Sequence, residues 1–217
     1  MDIKNLRKNY NLGSIDFTDI NSNPIAFFSH WFKEALEKED REVNAFVLST
    51  VNIDNIPSSR VVLLKNIEEK GFVFFTNYNS SKAKDIEINK HVSMNFYWPK
   101  LERQVRIVGF AKKISEQESN NYFKNRPRES QIGAVISSQS KEIDLDFNFQ
   151  ELIDKFNHQD TIKKPVHWGG FFVSPIKIEF WQGKPSRLHD RLAYELIDGN
   201  WIYKRIWRWR IPLWFST

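Results

Sequence analysis

The chain contains no cysteine, which excludes disulfides and thiolate metal sites. Glycine is sparse, 8 in 217 residues, and no Gly-x-Gly-x-x-Gly or Walker string occurs. A nucleotide-like cofactor therefore needs a site outside the Rossmann and P-loop designs. No HExxH, CxxC or clustered-carboxylate pattern is present, so metal catalysis is not expected. Long apolar runs are also missing. No stretch approaches the roughly 20 apolar residues of a transmembrane helix, and no membrane association is expected. Met1-Asp2-Ile3-Lys4 runs on polar, without the apolar centre of a secretory signal, so a cytoplasmic location is the expectation.

What is present suits an ordinary soluble core in one domain over 1–217: 41% hydrophobic and 27% charged residues. The net charge of +5 suits anionic partners, whether nucleic acid, acidic membranes or phosphorylated small molecules, and equally a plain basic surface. Asn23-Pro24 reads as a helix cap with proline at the first position; Ile25, Phe28, Phe32, Ala35 and Leu36 follow at helical spacing toward a core. Ala45–Val51, Ser58–Leu64 and Phe72–Thr76 read as strands of a meander, divided by Asp54-Asn55 and Lys70-Gly71. A short helix at Ser80–Asn89 and strands at Val92–Trp98 and Arg103–Ile114 come next. Ser115 to Glu118 is a capping box opening a helix that Pro127 stops or restarts. Ser140–Asp146 is a loop, and Asn148 caps a helix carrying Phe149, Leu152, Ile153 and Phe156. Lys163–Gly170 connects to a strand at Gly170–Trp181. Leu192–Ile197 and Trp201–Tyr203 flank an Asp198-Gly199 hairpin turn. The sum is mainly β with peripheral helices, an antiparallel sheet or barrel.

Phosphate chemistry accounts for several polar groups set among these apolar runs. Arg60-Val-Val-Leu-Leu-Lys65 places cations at both ends of an apolar strand, where they pair with anions or reach solvent. Their odd spacing sends them to opposite faces unless a bulge intervenes. Thr76-Asn-Tyr-Asn-Ser-Ser81-Lys82 leads from a strand into a helix start, a phosphate cradle or an ordinary cap. Tyr122, Arg126 and Ser130 lie four apart, on one face if a helix ran through them, though Pro127 interrupts it. Arg187-Leu-His-Asp-Arg191 concentrates charge after Phe180-Trp-Gln-Gly183, as a functional cluster or a surface salt-bridge network. His167 has no matching ligand and reads as structural.

These strings, with Phe75-Thr-Asn77, Glu102-Arg-Gln-Val105, Arg126-Pro-Arg-Glu-Ser-Gln-Ile-Gly133 and Trp168-Gly-Gly170, occur in an order that resembles the pyridoxine/pyridoxamine 5'-phosphate oxidase family. The resemblance runs from about Arg7 to about Arg205. It implies an FMN-binding split β-barrel working as a homodimer with flavin at the interface. It implies oxidation of phosphorylated B6 vitamers by O2 to pyridoxal 5'-phosphate and no nucleic-acid partner. Carried over by motif, FMN meets Arg60, Val61, Val62, Leu63, Leu64, Lys65, Phe75, Thr76, Ser81 and Lys82. Gln104, Gln139, Ser140, Trp181 and Arg191 complete the flavin site. The substrate phosphate meets Lys65, Tyr122, Arg126 and Ser130. Arg187 and His189 hold the pyridine ring and stand as the catalytic pair. Arg7 and Tyr10 fall in an N-terminal lid, 1–22. Two departures stand out: Ser81 replaces a usual basic residue, and Ile206–Thr217, rich in tryptophan and arginine, does not match the family's ending. Rival expectations are a flavin reductase or haem-handling protein on the same barrel, and a nucleic-acid module using that tail.

Overall fold

The structure, a computed structural model, describes residues 3–6, 8–39, 42–156 and 158–207. Eight antiparallel strands form one sheet in the order β3-β2-β1-β4-β5-β6-β7-β8, and β3 also pairs with β6. That extra pairing closes the first six into a barrel, leaving β7 and β8 as an extension from β6. The strands are β1 Ala45–Val51, β2 Pro57–Glu68, β3 Gly71–Asn77, β4 His91–Trp98, β5 Arg103–Lys113, β6 Trp168–Gln182, β7 Asp190–Ile197 and β8 Asn200–Arg205. Helices α1 Pro24–Lys38, α2 Ser81–Ile88, α3 Glu116–Lys124, α4 Arg128–Ile136 and α5 Phe149–Asp154 lie outside the strands. Among the described residues, no helix is long and apolar enough to cross a membrane.

Closure depends on β6. Its first part pairs with β3 (Trp168 to Val173) and its last part with β7 (Lys177 to Gln182), while β5 runs along both. The change of partner falls at a register shift where Val108 faces Lys177 but Gly109 faces Pro175. Proline cannot donate to a ladder, so a bulge is where a sheet interior tolerates it. Gly109 is the other half of the bend. A Cβ there would lie 2.4 Å from the Ser174 carbonyl oxygen and 2.9 Å from Pro175 Cα.

The core is aromatic. Phe28 of α1 is fully buried against Phe72 and Phe96, with ring centroids 4.9 and 5.1 Å away. Trp31 meets Phe180 at 5.2 Å and carries the Arg103 guanidinium 4.3 Å over its ring. Met94 of β4 is also fully enclosed. The buried stripe of α1 is Ile25, Phe28, Trp31 and Ala35, not the expected stripe ending at Leu36, which is exposed. Asn23 caps this helix as its sequence implies, accepting from the amides of Ile25 and Ala26. The Ser115/Glu118 capping box forms, and α3 ends before Pro127, from which α4 restarts. Asp198 and Gly199 both take positive φ, 49° and 79°, as a two-residue type I′ hairpin requires.

Two expectations need correction, and β2, apolar between its two cations, is not enclosed along its length: Val61 is 67% exposed. The strand β6 begins at Trp168, inside the stretch expected as a connector. The α5 helix stops at Asp154, before Phe156.

The bend at Gly109 is tested by Gly109→Val. Its Cβ meets backbone rather than a flexible side chain, so stability should fall by about 2–3 kcal/mol. A urea midpoint equal to that of the parent chain would show that the close approach does not matter.

Candidate active site

A bulge places Lys65. Leu64 pairs with Phe74 and Asn66 with Val73, so Lys65 is the extra residue on β2. Lys65 lines a cavity of about 440 Å³ together with Val61, Val62, Leu63, Phe75, Thr76, Lys82, Tyr122, Arg126, Pro127, Ser130 and Gln139. Tyr122 comes from the end of α3, Arg126 from the break before Pro127, and Ser130 from α4. The break, not a shared helix face, brings them together. Arg126 donates to the Ser130 carbonyl at 3.0 Å and lies 4.5 Å over the Trp168 ring, while Tyr122 stacks on Phe75 at 3.8 Å.

Among the described residues, this cavity is lined by three cations, Lys65, Lys82 and Arg126, and by no acidic residue. Lys82 is only 8% exposed and donates to Thr76 Oγ1 at 3.3 Å. Burial, and after it the charge of Arg60, holds its ammonium below the ordinary lysine value of 10.5. Burial likewise pulls Arg126 down, against the opposing influence of Tyr122. Partly desolvated cations without a carboxylate are costly unless an anion joins them.

Arg60 stands beside this cavity rather than on its lining. Its Nη1 donates to Thr50 Oγ1 at 2.7 Å and the Ser58 carbonyl at 3.1 Å, and its Nη2 to Ser58 Oγ at 2.8 Å. Thr50, fully buried, donates in turn to Asp85 Oδ2 at 2.6 Å. Nothing in the motifs marked Thr50 or Asp85; an aspartate on the buried face of α2 is the one signal for them. Leu64 is buried in the core. Ser81 and Ser140 are exposed and meet each other, the Ser81 amide donating to Ser140 Oγ at 3.2 Å.

A second cluster forms where the ends of β5, β6 and β7 lie side by side. Gln104 faces Trp181, which faces Arg191. A cavity of about 400 Å³ is lined by Gln104, Arg106, Glu179, Trp181, His189 and Arg191. Buried Glu179 forks between Arg106 and Arg191, accepting from Arg191 Nε at 2.8 Å. An adjoining cavity of about 440 Å³ is lined by Leu6, Lys8, Asn9, Tyr10, Lys184, Pro185, Ser186, Arg187 and His189. His189 Nδ1 accepts from the Lys184 amide at 3.1 Å, so the neutral ring carries its proton on Nε2 and presents a donor there. Ser186 and Arg187 hold consecutive positive φ angles, 57° and 60°, a strained turn that aims Arg187. Tyr10 meets Trp181 and His189 edge-on at 5.5 and 5.6 Å. Arg7 lies outside the described residues, as do 208–217 of the tail; Ile206 donates to the Arg191 carbonyl at 3.0 Å.

No described residue lines both the three-cation cavity and either cavity of the second cluster. Trp168, under Arg126, and Trp181 stand 181 − 168 = 13 residues apart on β6, a contour of roughly 40 Å.

Comparison with known proteins agrees with this layout. Residues 32–155 match the family profile described as pyridoxamine 5'-phosphate oxidase. Residues 168–207 match the one described as the pyridoxine 5'-phosphate oxidase C-terminal dimerisation region. A pyridoxine/pyridoxamine 5'-phosphate oxidase of Gloeothece citriformis is 48% identical over 209 residues, covering 94% of this chain and 97% of that one. Its counterpart in Leptospira biflexa is 48% identical, covering 94% and 98%. Among solved structures, PhzG from Burkholderia lata 383, in complex with tetrahydrophenazine-1-carboxylic acid, superposes with a TM-score of 0.85 at 25% identity, covering 92% of this chain and 100% of that one. An FMN-binding protein from Nostoc punctiforme shares the fold at a TM-score of 0.71 and 16% identity, covering 83% and 95%. The closed barrel is thus a split barrel, and the chain belongs to the pyridoxine/pyridoxamine 5'-phosphate oxidase family.

Proposed function

We propose that the chain is an FMN-dependent oxidase that converts pyridoxamine 5'-phosphate and pyridoxine 5'-phosphate to pyridoxal 5'-phosphate, in vitamin B6 biosynthesis and salvage. Each turnover consumes O2 and yields hydrogen peroxide, and the amine substrate also takes up water and releases ammonia. The observation that carries this reading is the cavity with three cations and no carboxylate. Its donor set suits phosphate esters: two lysines, an arginine, a phenol and two hydroxyls around a mixed polar and apolar wall. Arg60, Thr76 and Lys82 would hold the FMN phosphate, and Lys65, Tyr122, Arg126 and Ser130 the substrate phosphate. When bound, the flavin supplies a hydride acceptor and returns the electrons to O2.

The rest falls to this chain's side chains. Trp181, Gln104 and Arg191 offer an edge for the flavin ring. Arg187 favours negative charge on the pyridine, and His189 donates from Nε2 instead of serving as a base. Tyr10 walls this side off from water. One small phosphate ester cannot span both ends of β6, so the ring cluster of one copy would meet the three-cation cavity of another. The match to a dimerisation region supports a homodimer built this way. The carboxylic acid held by PhzG carries no phosphate in its name; a substrate of that kind would leave Arg126 and its neighbours without a partner.

Three measurements test the reading. The purified protein should be yellow after FMN is added, and pyridoxamine 5'-phosphate in air should give an aldehyde. Unphosphorylated pyridoxamine should be poorer by roughly a hundredfold in kcat/KM, and Arg126→Ala should erase most of that difference while the flavin stays bound. Equal rates on both amines would sink the phosphate assignment. Next, Arg126→Ala and Arg187→Ala chains, each nearly inactive, should regain up to roughly a quarter of wild-type activity when unfolded and refolded together, because half the dimers then hold one intact site of two. No recovery would place both residues in one copy's site. Finally, Lys82→Ala should weaken FMN roughly tenfold or more. Because the Lys82 ammonium discharges below the ordinary lysine range, wild-type FMN affinity should decline as pH rises toward that range, and the variant should show a flatter profile.

A further inference from the structure

The turn between β4 and β5 holds an expensive residue. Glu102 is fully buried and has φ of 54°, the left-handed region that a glutamate enters only at a cost. Glycine would relieve the backbone, and any neutral side chain would avoid burying a carboxylate. Glu102 Oε2 accepts from the backbone amides of Asn11 at 2.8 Å and Leu12 at 3.1 Å. Lys8 Nζ lies 3.1 Å from Oε1, near enough for an ion pair though Oε1 has no aligned hydrogen bond. Burial pushes the carboxyl up, but the Leu12 amide, Lys8 and the Asn11 amide outweigh it and hold it below the usual carboxylate range.

The same residue is tied to the ring-binding end. Its carbonyl accepts from the Gly183 amide at 2.8 Å. Gly183 lies under Tyr10: a Cβ there would come within 2.8 Å of the tyrosine ring. Three residues past Leu12 the segment is pinned again, where the Ile15 amide donates to buried Asp190 Oδ2 at 3.2 Å. Between these anchors and Trp181 and His189, Tyr10 has little freedom.

We propose that Glu102 is a positioning residue that clasps the N-terminal segment across the ring-binding end of the sheet, so that Tyr10 forms a standing wall of the substrate site before ligand arrives. The proposal rests on the oxidase reading above for its kinetic consequence, but not for its structural one. Two hydrogen bonds to a charged acceptor are enough for roughly a tenfold effect on a closed-to-open equilibrium.

The test uses FMN-saturated protein and two variants. Glu102→Gly removes the clasp while easing the backbone. Leu12→Pro removes one amide donor from an exposed position on the segment, leaving the barrel untouched. Tryptic cleavage after Lys8 should quicken about tenfold in Glu102→Gly and about threefold in Leu12→Pro, which loses one of the two hydrogen bonds. KM for pyridoxamine 5'-phosphate should rise about as much, with kcat within a factor of about two and flavin content and thermal midpoint unchanged. Wild-type cleavage rates and KM in both variants would overturn the clasp, as would lost flavin or a lowered midpoint without a rise in KM. If Glu102→Gly does not fold, Leu12→Pro decides alone. A wild-type protein inert toward pyridoxamine 5'-phosphate would refute the oxidase reading instead, and the cleavage rates would still decide the clasp.

Discussion

The backbone ladder along β6 is the constraint on which the other features hang. This strand closes the barrel with β3, runs the length of β5, and then carries β7 outward. Such a strand must bend without losing its central pairing, and a proline facing a glycine accomplishes that. The bend does more than shape the barrel. It sends one end of β6 toward α3, α4 and the break between them, which carry Tyr122, Ser130 and Arg126, and the other toward the turn that carries Arg187 and His189. The separation of the three-cation cavity from the cluster around Trp181 and His189 thus follows from the strand that makes the fold.

Electrostatics on the two sides differ in kind. Around the three-cation cavity no described carboxylate joins the lining, and burial disfavours the charge of Lys82 and Arg126. Near Trp181 and His189 four cations are already paired: Glu179 takes Arg106 and Arg191, and Asp190 takes Lys184 and Arg205. Arg60 lies between these cases. Its donors are largely spent on Thr50 and Ser58, with Asp85 behind Thr50, so it acts as an oriented charge.

Much of the fold was legible from local composition. A β-rich run marked Ala45–Val51 to the residue, and the Asp198-Gly199 pair marked the last hairpin. The α1 stripe was less so, since Trp31 and Leu36 both fit a helical face and only the barrel's shape selects the first. The Tyr122, Arg126 and Ser130 spacing pointed to convergence, yet the cause is a helix break rather than a shared face. The bulge at Lys65 had to be left open, because an extra residue leaves no mark in an apolar run. Least legible were the contacts of Glu102, whose partners are main-chain amides that every residue carries.

The enclosure of Met94 has a chemical corollary. With no thiol in the chain and this thioether sealed inside the barrel, the described residues offer no exposed sulfur to an oxidant. Under the proposed turnover, which releases peroxide, the described residues would be spared thiol and thioether oxidation. Wear during prolonged turnover would then fall on aromatic side chains such as Trp181, which stand at the ring end of the site.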